Sequence, residues 1–338
     1  MRNNKDIGMR KSSLTILILL VALSFSMAQV KLAQTGAQFL SVDSDAKAGG
    51  MAGALTTVEM NSAALFFNPA GMARMETAID VMASQSQWIA DIAYNSFAVA
   101  FNPSGGKYGV FAASLVSVDY GEIQGTQRWD NEPGYIDTEI LTPSAYAAGF
   151  GYAKALSDKF SVGGHLKYVG LNYGKSVYPD EEDSSIPDTV KNHLAYSNAF
   201  DFGTIYRTGW KSLAFGMSVR NFSNEVTFES EGFQLPLTFT LGISMDLFDL
   251  IREGESQQKL LLSVDALHYR SHAEQLRVGV EFKPIDMLSL RTGYMSSNDE
   301  NDISFGLGIQ ALGLVVDYAY EPFGRLGDVQ RMTVRFSI

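Results

Sequence analysis

The segment 237–246 reads LTFTLGISMD, and its side chains alternate between two kinds. The apolar set is Leu237, Phe239, Leu241, Ile243 and Met245, and the residues between them are small or polar. Because successive side chains of a β-strand point to opposite faces, this period predicts a strand with one apolar and one polar face. The same alternation recurs at 276–283, 303–310 and 331–338.

Segments of this kind repeat from about residue 77 to the end of the chain. We count fourteen candidate strands, near 77–88, 92–102, 107–120, 142–155, 159–173, 197–208, 211–222, 235–248, 259–269, 275–284, 287–296, 302–311, 312–321 and 329–338. Connections after even-numbered strands are mostly tight, with 249–258 as the exception, whereas the odd-numbered ones include the long stretches 121–141, 174–196 and 223–234. Short turns on one rim and long loops on the other are typical of transmembrane β-barrels, and strands of about ten residues suit a tilted bilayer crossing.

Soluble sandwiches and propellers also alternate, but two observations favour a barrel in a membrane. In the later strands, charged residues fall on the face opposite the apolar one, as a water-containing lumen would require. These residues are Asp246, Asp265, Arg277, Glu281, Arg291, Asp317, Arg331 and Arg335. Aromatic residues concentrate near strand ends, where they would meet lipid headgroups: Trp88, Tyr94, Trp210, Phe222, Phe248, Tyr269, Tyr294 and Tyr320. We therefore predict an all-β fold, a transmembrane antiparallel β-barrel of about 14 strands over residues 77–338.

Composition agrees with this prediction and excludes several other classes of protein. Of the 338 residues, 46% are hydrophobic and only 19% charged, which excludes a disordered chain. The formal charge of −11 opposes binding to nucleic acid. The absence of cysteine excludes disulfide scaffolds, thiolate metal sites and cysteine nucleophiles.

The first 28 residues have the pattern of a cleaved export signal. Four basic residues precede the apolar run from Leu14 to Phe25, and Ser26-Met27-Ala28 offers small residues for cleavage. That run is too short to span a bilayer as a helix. We expect a bacterial outer-membrane protein in contact with outer-membrane lipid, and an even strand count predicts that both termini are periplasmic.

Residues 29–76 do not alternate, and we call this N-terminal segment the hatch. It is rich in small residues and contains the turn Asn68-Pro69-Ala70-Gly71. Pro69 fixes φ, Asn68 can bond forward to the backbone, and Gly71 tolerates left-handed geometry. Two interpretations stay open: a tight structural turn, or a gate inside the barrel in which Asn68, Pro69 and Gly71 take part when something passes.

Several motifs resemble a known family of outer-membrane proteins. Gly36-Ala37-Gln38-Phe39-Leu40, Ala48-Gly49-Gly50-Met51-Ala52-Gly53-Ala54 and Asn68-Pro69-Ala70-Gly71-Met72-Ala73 resemble the opening signature of the PorV/PorQ family, which belongs to the broader group of FadL-like barrels. The resemblance continues at Trp88–Ile92, Gly203–Gly209, Leu235–Phe239, Val264–His268, Val316–Tyr320 and Phe323–Gly327. It implies a fourteen-stranded barrel with a hatch and a role in type IX protein secretion. PorV-like members receive exported proteins, and PorQ-like members hold a partner at the cell surface.

Motifs for catalysis and cofactor binding are not found, so we expect no enzyme, no cofactor and no metal site. Gly174-Lys175-Ser176 lacks the first glycine of a phosphate-binding loop, because residue 169 is Val. His268 and His272 have helical metal spacing but sit at a predicted strand end. The acidic stretch Pro179–Asp183 has none of the spacing of an EF-hand and is expected to be a solvated loop tip.

Two functions from different classes follow. The leading hypothesis is a noncatalytic component of protein secretion that docks exported or secretion-system proteins, with Trp129, Tyr135, Tyr178 and Phe233 in the long loops as candidate partner contacts. The alternative for these four aromatic residues is that they order their loops or touch lipid. The rival function is a FadL-like transporter of a hydrophobic small molecule, but the inward positions are charged or small, which favours docking.

Overall fold

The computed structural model of the chain describes residues 35–178, 189–251, 258–296 and 302–338. The predicted signal and the acidic stretch 179–183 lie outside these residues. The strands are β1 (Ile79–Gln87), β2 (Ala93–Phe101), β3 (Val110–Asp119), β4 (Ile123–Arg128), β5 (Tyr135–Leu141), β6 (Ser144–Ala155), β7 (Phe160–Tyr178), β8 (Thr189–Arg207), β9 (Ala214–Phe222), β10 (Val226–Phe228), β11 (Glu231–Phe233), β12 (Thr238–Asp246), β13 (Lys259–Tyr269), β14 (Gln275–Ile285), β15 (Leu288–Met295), β16 (Ile303–Ala311), β17 (Leu314–Pro322) and β18 (Asp328–Ser337).

Fourteen of these strands close into one antiparallel barrel in which every strand pairs with its sequence neighbour in the wall. The first and last strands, β1 and β18, complete the circle, and Ile79 and Ile338 exchange backbone hydrogen bonds of 2.9 Å in both directions. The fourteen predicted strands are confirmed. Closure leaves no open edge in the wall, which is what a backbone in hydrocarbon requires.

Alternation along each strand separates a lipid-facing from an inward-facing set of side chains. Strand β1 alternates exposed and buried residues along its whole length, and β12 keeps Thr238, Thr240 and Ser244 buried while Leu241 and Ile243 are exposed. The apolar face predicted from the sequence is therefore the outer face of the barrel. The apolar side chains on that face contact the acyl chains of the lipid instead of water.

Connections of different length lie on the two rims. The short-connection rim includes 286–287 and 312–313, and the long-connection rim includes 120–143 and 223–237. Two hairpins on the long-connection rim, β4–β5 and β10–β11, lie outside the barrel wall and were not predicted, nor was the extension of β7 and β8 beyond it.

Helical structure is confined to short pieces. The α-helices are α1 (Ala46–Gly50) in the hatch and α2 (Phe248–Ile251) after β12, and 3₁₀ turns occupy Gln38–Ser41, Asn61–Phe66 and Pro69–Met72. None of the helices in the described residues has both the length and the apolar character needed to cross a membrane.

The hatch runs through the lumen from one rim to the other. Thr35 bridges Gln234 at the long-connection rim, and the chain leaves the lumen at the short-connection rim, where Asn102 donates to the carbonyl of Ala78. The ends of the barrel strands meet on one rim, as an even count requires. The first described residue, however, lies at the other rim, because the hatch crosses the barrel before β1 begins. The location of both termini in the periplasm stays a prediction.

Inward-facing glycines allow the hatch backbone to lie directly on the wall. A Cβ on Gly279 would come within 2.8 Å of the Met51 carbonyl, one on Gly216 within 2.8 Å of the Thr56 carbonyl, and one on Gly306 within 3.0 Å of the Gly50 Cα. Real side-chain carbons essentially never come within 3.0 Å of another atom, so Gly279 and Gly216 have no room for a side chain and Gly306 has very little. The lumen is thus filled by protein along this contact rather than by water, which corrects the expectation of a water-containing lumen.

Two adjacent glycines of β7 test this contact. A Cβ on Gly163 would overlap the Pro69–Ala70 peptide, whereas one on Gly164, on the opposite face, meets only the Asp201 carbonyl at 3.8 Å. We expect Gly163→Val to destabilise the seated hatch by about 1–3 kcal/mol through overpacking and Gly164→Val to have little effect. Thermal unfolding in detergent checks this, and equal midpoints for the two variants would contradict the close packing of the hatch.

Candidate functional site

Buried ion pairs join the hatch to the wall formed by β14–β18. Lys47 Nζ lies 3.3 Å from Glu281 Oε2, and Arg291 binds Glu281 at 2.5 Å and Asp317 Oδ1 at 2.6 Å. Asp317 also pairs with Arg335, whose guanidinium lies 3.7 Å from Asp45 Oδ2 of the hatch. These charges are almost completely buried, so each depends on its neighbours to offset the loss of hydration.

A second group of charges holds the beginning of the hatch near the long-connection rim. Arg277 approaches Asp43 Oδ2 at 3.5 Å and donates to the Tyr269 hydroxyl at 2.8 Å. Arg331 donates to the Asp43 carbonyl at 3.1 Å and pairs with Glu321. Most of the inward charges predicted to face water therefore pair with one another and with the hatch, whereas Asp246 accepts from the Phe248 and Leu260 amides at the end of β12.

Two carboxylates of the barrel accept backbone N–H groups of the hatch. Asp265 accepts from the Thr56 amide at 2.9 Å and from its hydroxyl at 2.7 Å. Asp80 accepts from the Ser62 amide at 2.9 Å and from the hydroxyl of Ser337, the last residue of β18, at 2.6 Å. Both carboxylates are 1% exposed, so these bonds to a charged acceptor fix the irregular backbone of the hatch.

The predicted turn at Asn68 proves to be a junction between hatch and wall. Its side chain caps the following 3₁₀ turn by accepting from the Ala70 amide at 3.1 Å, and its amide donates to the carbonyls of Thr56 at 2.7 Å and Thr204 at 3.1 Å. Pro69 occupies the first position of that turn, where a missing N–H costs nothing.

Gly71 does not adopt the left-handed geometry predicted for it, but it is closely packed. It is not among the glycines of positive φ, so left-handed geometry is not its role. A Cβ there would lie 3.0 Å from the Ala64 Cβ and 3.1 Å from the Val58 carbonyl. The turn thus packs closely on the rest of the hatch, and Asn68, Pro69 and Gly71 form one buried unit.

A polar cluster on the opposite wall has the residue types of a hydrolase triad but lacks room for a substrate. Ser114 Oγ lies 2.9 Å from His165 Nε2, and His165 Nδ1 lies 3.2 Å from Asp201 Oδ2. Lys167 also binds Asp201, at 2.8 Å. The adjoining cavity has a volume of about 30 Å³, close to that of one water molecule. The cluster therefore resembles a satisfied polar network beside the hatch more than a reaction centre.

A wider cavity opens at the long-connection rim above the hatch. Its volume is about 450 Å³, and its walls include the rings of Trp88, Tyr269 and Phe323. Trp88 contacts Phe323 edge to face at 5.1 Å and covers the Arg331 guanidinium at 5.2 Å. We call this cavity the vestibule; its floor is closed by Asp43 and Arg277.

The β10–β11 hairpin connects the start of the hatch with the part of β7 and β8 that extends beyond the wall. The ring of Phe233 packs on Gly36, and Tyr173 contacts Phe228 at 5.0 Å. Glu229 pairs with Lys191 and accepts from His193 Nδ1 at 2.9 Å. Hydrogen bonds from Lys191 and then His193 lower the pKa of the Glu229 carboxyl below its ordinary value.

The four predicted partner contacts lie in different surroundings. Trp129 and Tyr135 are about half exposed at the tip of the β4–β5 hairpin. Phe233 is partly buried against the hatch, so it orders its loop and offers little free surface. The backbone of Tyr178 pairs with Thr189 at the end of β7, and its side chain is outside the described residues.

Sequence reasoning missed the hatch residues that make the charged contacts, Asp43, Asp45 and Lys47. The one available signal was the presence of three charges within a segment of otherwise small residues. Their partners on the barrel were recognised as inward-facing, but periodicity alone does not show what an inward side chain meets.

Comparison with known proteins places the chain in a functional context. The family model described as type IX secretion system membrane protein PorP/SprF matches residues 138–324, more than half of the chain. This agrees with the type IX secretion role implied by the N-terminal motifs, although the family it names is not the PorV/PorQ family that those motifs resemble. No curated protein matches the chain significantly in sequence.

Solved structures with a similar fold include proteins named as toluene transporters and a hydrocarbon channel. The toluene transporter TbuX of Ralstonia pickettii is 12% identical with a TM-score of 0.56, and the alignment covers 87% of this chain and 98% of that one. The monoaromatic hydrocarbon channel CymD is 12% identical with a TM-score of 0.56, covering 88% and 98%. The toluene transporter TodX of Pseudomonas putida has the same identity and score, covering 91% and 98%. At 12% identity these likenesses show the fold alone.

Substitution of Asn68 tests whether this residue fastens the hatch. Asn68→Ala leaves the Ala70 amide and two carbonyls without their partner and is expected to cost about 1–3 kcal/mol. Asn68→Asp is expected to cost more, because a carboxylate then faces the carbonyls of Thr56 and Thr204. Thermal unfolding measures the loss of stability in each variant, and single-channel current in planar bilayers shows whether the hatch has loosened. Asn192→Asp, at an exposed position, is the control, and a rank order with Ala worse than Asp would contradict the assigned bonds.

Glu229→Gln tests the attachment of the β10–β11 hairpin. Loss of the charged acceptor for Lys191 and His193 is expected to speed hydrogen exchange across residues 226–233, whereas Glu231→Gln on the same hairpin is not. A carboxyl of lowered pKa stabilises the folded form above its ordinary pKa of 4.5 and loses this effect as pH falls through the lowered value. Exchange in the unmodified protein, corrected for intrinsic rates, should therefore not increase as the pH falls from 7 to 5. An increase within that window would contradict the role of Glu229.

Proposed function

The chain belongs to the PorP/SprF family of type IX secretion system membrane proteins, and we propose that it docks exported proteins or a surface partner at the long-connection rim of an outer-membrane barrel. In this proposal it is a noncatalytic component, and protein cargo does not pass through its lumen. Residues 1–28 are a cleaved signal peptide, and the long-connection rim faces outward.

The observation that carries the proposal is the way the hatch is fastened. Asp80 of β1 and Asp265 of β13 bind its backbone, its own Asn68 donates to the Thr204 carbonyl of β8, and buried ion pairs hold Asp45 and Lys47 against β14–β18. A passage for a polypeptide would require all of these bonds to break together. Function at the rim requires none of them to break.

The long-connection rim supplies surface for docking. Trp129 and Tyr135 project there from a hairpin outside the barrel wall, and aromatic side chains give contact area at a low entropic cost. A PorV-like role, receiving exported proteins, fits this surface as well as a PorQ-like role of holding one partner.

Transport of a hydrophobic small molecule is the second candidate, and the vestibule favours it. The aromatic walls of this cavity would suit an apolar ligand, and the solved structures of similar fold are named as toluene transporters and a hydrocarbon channel. Against it, the floor of the vestibule is charged, and onward passage requires the hatch to move.

A disulfide that locks the hatch separates the two functions. A Cβ on Gly49 would lie 3.1 Å from the Ala319 Cβ, slightly closer than a disulfide requires, and the side chains of Glu321 and Arg331, 2.5 Å and 2.7 Å from it, must move to admit it. The chain itself has no cysteine. We expect the oxidised Gly49→Cys, Ala319→Cys variant to restore surface delivery of exported proteins in a deletion strain to the level of the reduced variant. Single-cysteine variants are the controls.

The same locked variant measures transport directly. If delivery fails only when the disulfide is formed, the hatch must move and docking at a closed barrel is wrong. If hydrocarbon uptake falls on oxidation while delivery is unchanged, the chain has both functions.

A further inference from the structure

Residues 119–141 comprise the β4–β5 hairpin and the residues next to it, and they form a surface that has no part in closing the barrel. We call it the acidic hairpin. It is a separate two-stranded sheet, and within the described residues no backbone hydrogen bond joins β4 to any strand but β5. The other edge of β4, Ile123–Arg128, therefore presents backbone donors and acceptors to solvent. Such an edge is a template for an added strand.

The charge on the acidic hairpin is one-sided. It carries six carboxylates and a single basic residue, Arg128, and all seven side chains are exposed. The carboxylates are Asp119, Glu122, Asp130, Glu132, Asp137 and Glu139. None of them forms an ion pair with the part of the chain that the structure describes, whereas the lumen carboxylates Glu281, Asp317 and Glu321 do. Their field is thus available to a partner outside the protein.

Apolar side chains are interspersed with these charges. Ile123, Trp129, Tyr135 and Ile140 are each between 47% and 55% exposed, at positions that lie beyond the barrel wall. Exposed aromatic and aliphatic groups surrounded by charge are typical of protein-binding surfaces. An anionic lipid headgroup would be repelled by the carboxylates, so a membrane does not explain this combination.

We propose that the free edge of β4 binds an extended, basic segment of an exported protein as an added β-strand. The inference rests on the proposed docking function and specifies its partner chemistry. Backbone hydrogen bonds along Ile123–Arg128 supply affinity, the carboxylates select Lys- and Arg-rich segments, and Trp129 and Tyr135 anchor the end of the strand. The bulge in the pairing between Gln124 and Thr126 limits the length of the added strand.

Photo-crosslinking in the native outer membrane tests this inference. A photoreactive residue at Gln124, which is exposed, should capture a Lys- or Arg-rich segment of an exported protein, identified by mass spectrometry. Neutralising Asp130, Glu132 and Asp137 with amides should reduce the crosslink about tenfold at low salt. Asp158→Asn, Asp249→Asn and Asp286→Asn remove the same charge from the opposite rim and should leave it unchanged. A heat-modifiability gel shows that each variant is folded.

Hydrogen exchange then tests strand addition itself. The captured segment, made as a synthetic peptide, should protect amides within 123–128 of the full-length protein, whereas side-chain contact alone would leave them unprotected. Capture of an acidic segment, capture of lipopolysaccharide only, or a crosslink that is insensitive to the three amide substitutions would overturn the inference. If exported proteins still co-purify with the barrel in those cases, docking occurs elsewhere on the rim and the proposed function stands.

Discussion

The structure depends on the seating of an irregular segment inside a closed barrel. A backbone without regular secondary structure carries donors and acceptors that must be paired when buried. Here Asp80 and Asp265 of the wall accept hatch amides, and Asn68 of the hatch donates to the carbonyls of Thr56 in the hatch and Thr204 in the wall. Inward glycines such as Gly279 and Gly306 bring the two backbones close enough for these bonds to form.

The buried charges then determine what the barrel can do. Arg291 and Arg335 would be costly to bury alone, and their carboxylate partners come partly from the wall and partly from the hatch. Removing the hatch would take Asp45 from Arg335, Lys47 from Glu281 and Asp43 from Arg277, so the charges of the wall would be less well compensated and the closed lumen is favoured. This physical bias towards a closed barrel is the reason to place function at the rim, where aromatic side chains and carboxylates are exposed.

The barrel was predictable from the sequence because lipid imposes a strict rule on one face of every strand. Segments such as 237–246 alternate without exception, and their bounds emerged within a few residues. The β4–β5 hairpin obeys no such rule, since neither face meets lipid and residues 124–128 read QGTQR. The contacts of the hatch were equally hidden: the partners of Asp43, Asp45 and Lys47 lie more than two hundred residues away in sequence. The motif at Asn68 was recognisable. Whether its Gly71 supplies a left-handed backbone angle or close packing could be decided only from the structure.

Asp80 has a consequence for how the molecule is assembled. Its carboxylate belongs to the first strand of the barrel and binds both Ser62 of the hatch and Ser337 of the last strand. The seam that closes the circle and the bond that seats the hatch therefore share one side chain, and 257 residues separate Asp80 from Ser337. Contacts of such long sequence separation form late and slowly. An incompletely inserted barrel would thus lack a closed wall and a seated hatch at the same time. An assembly intermediate whose seam is open would therefore also be leaky.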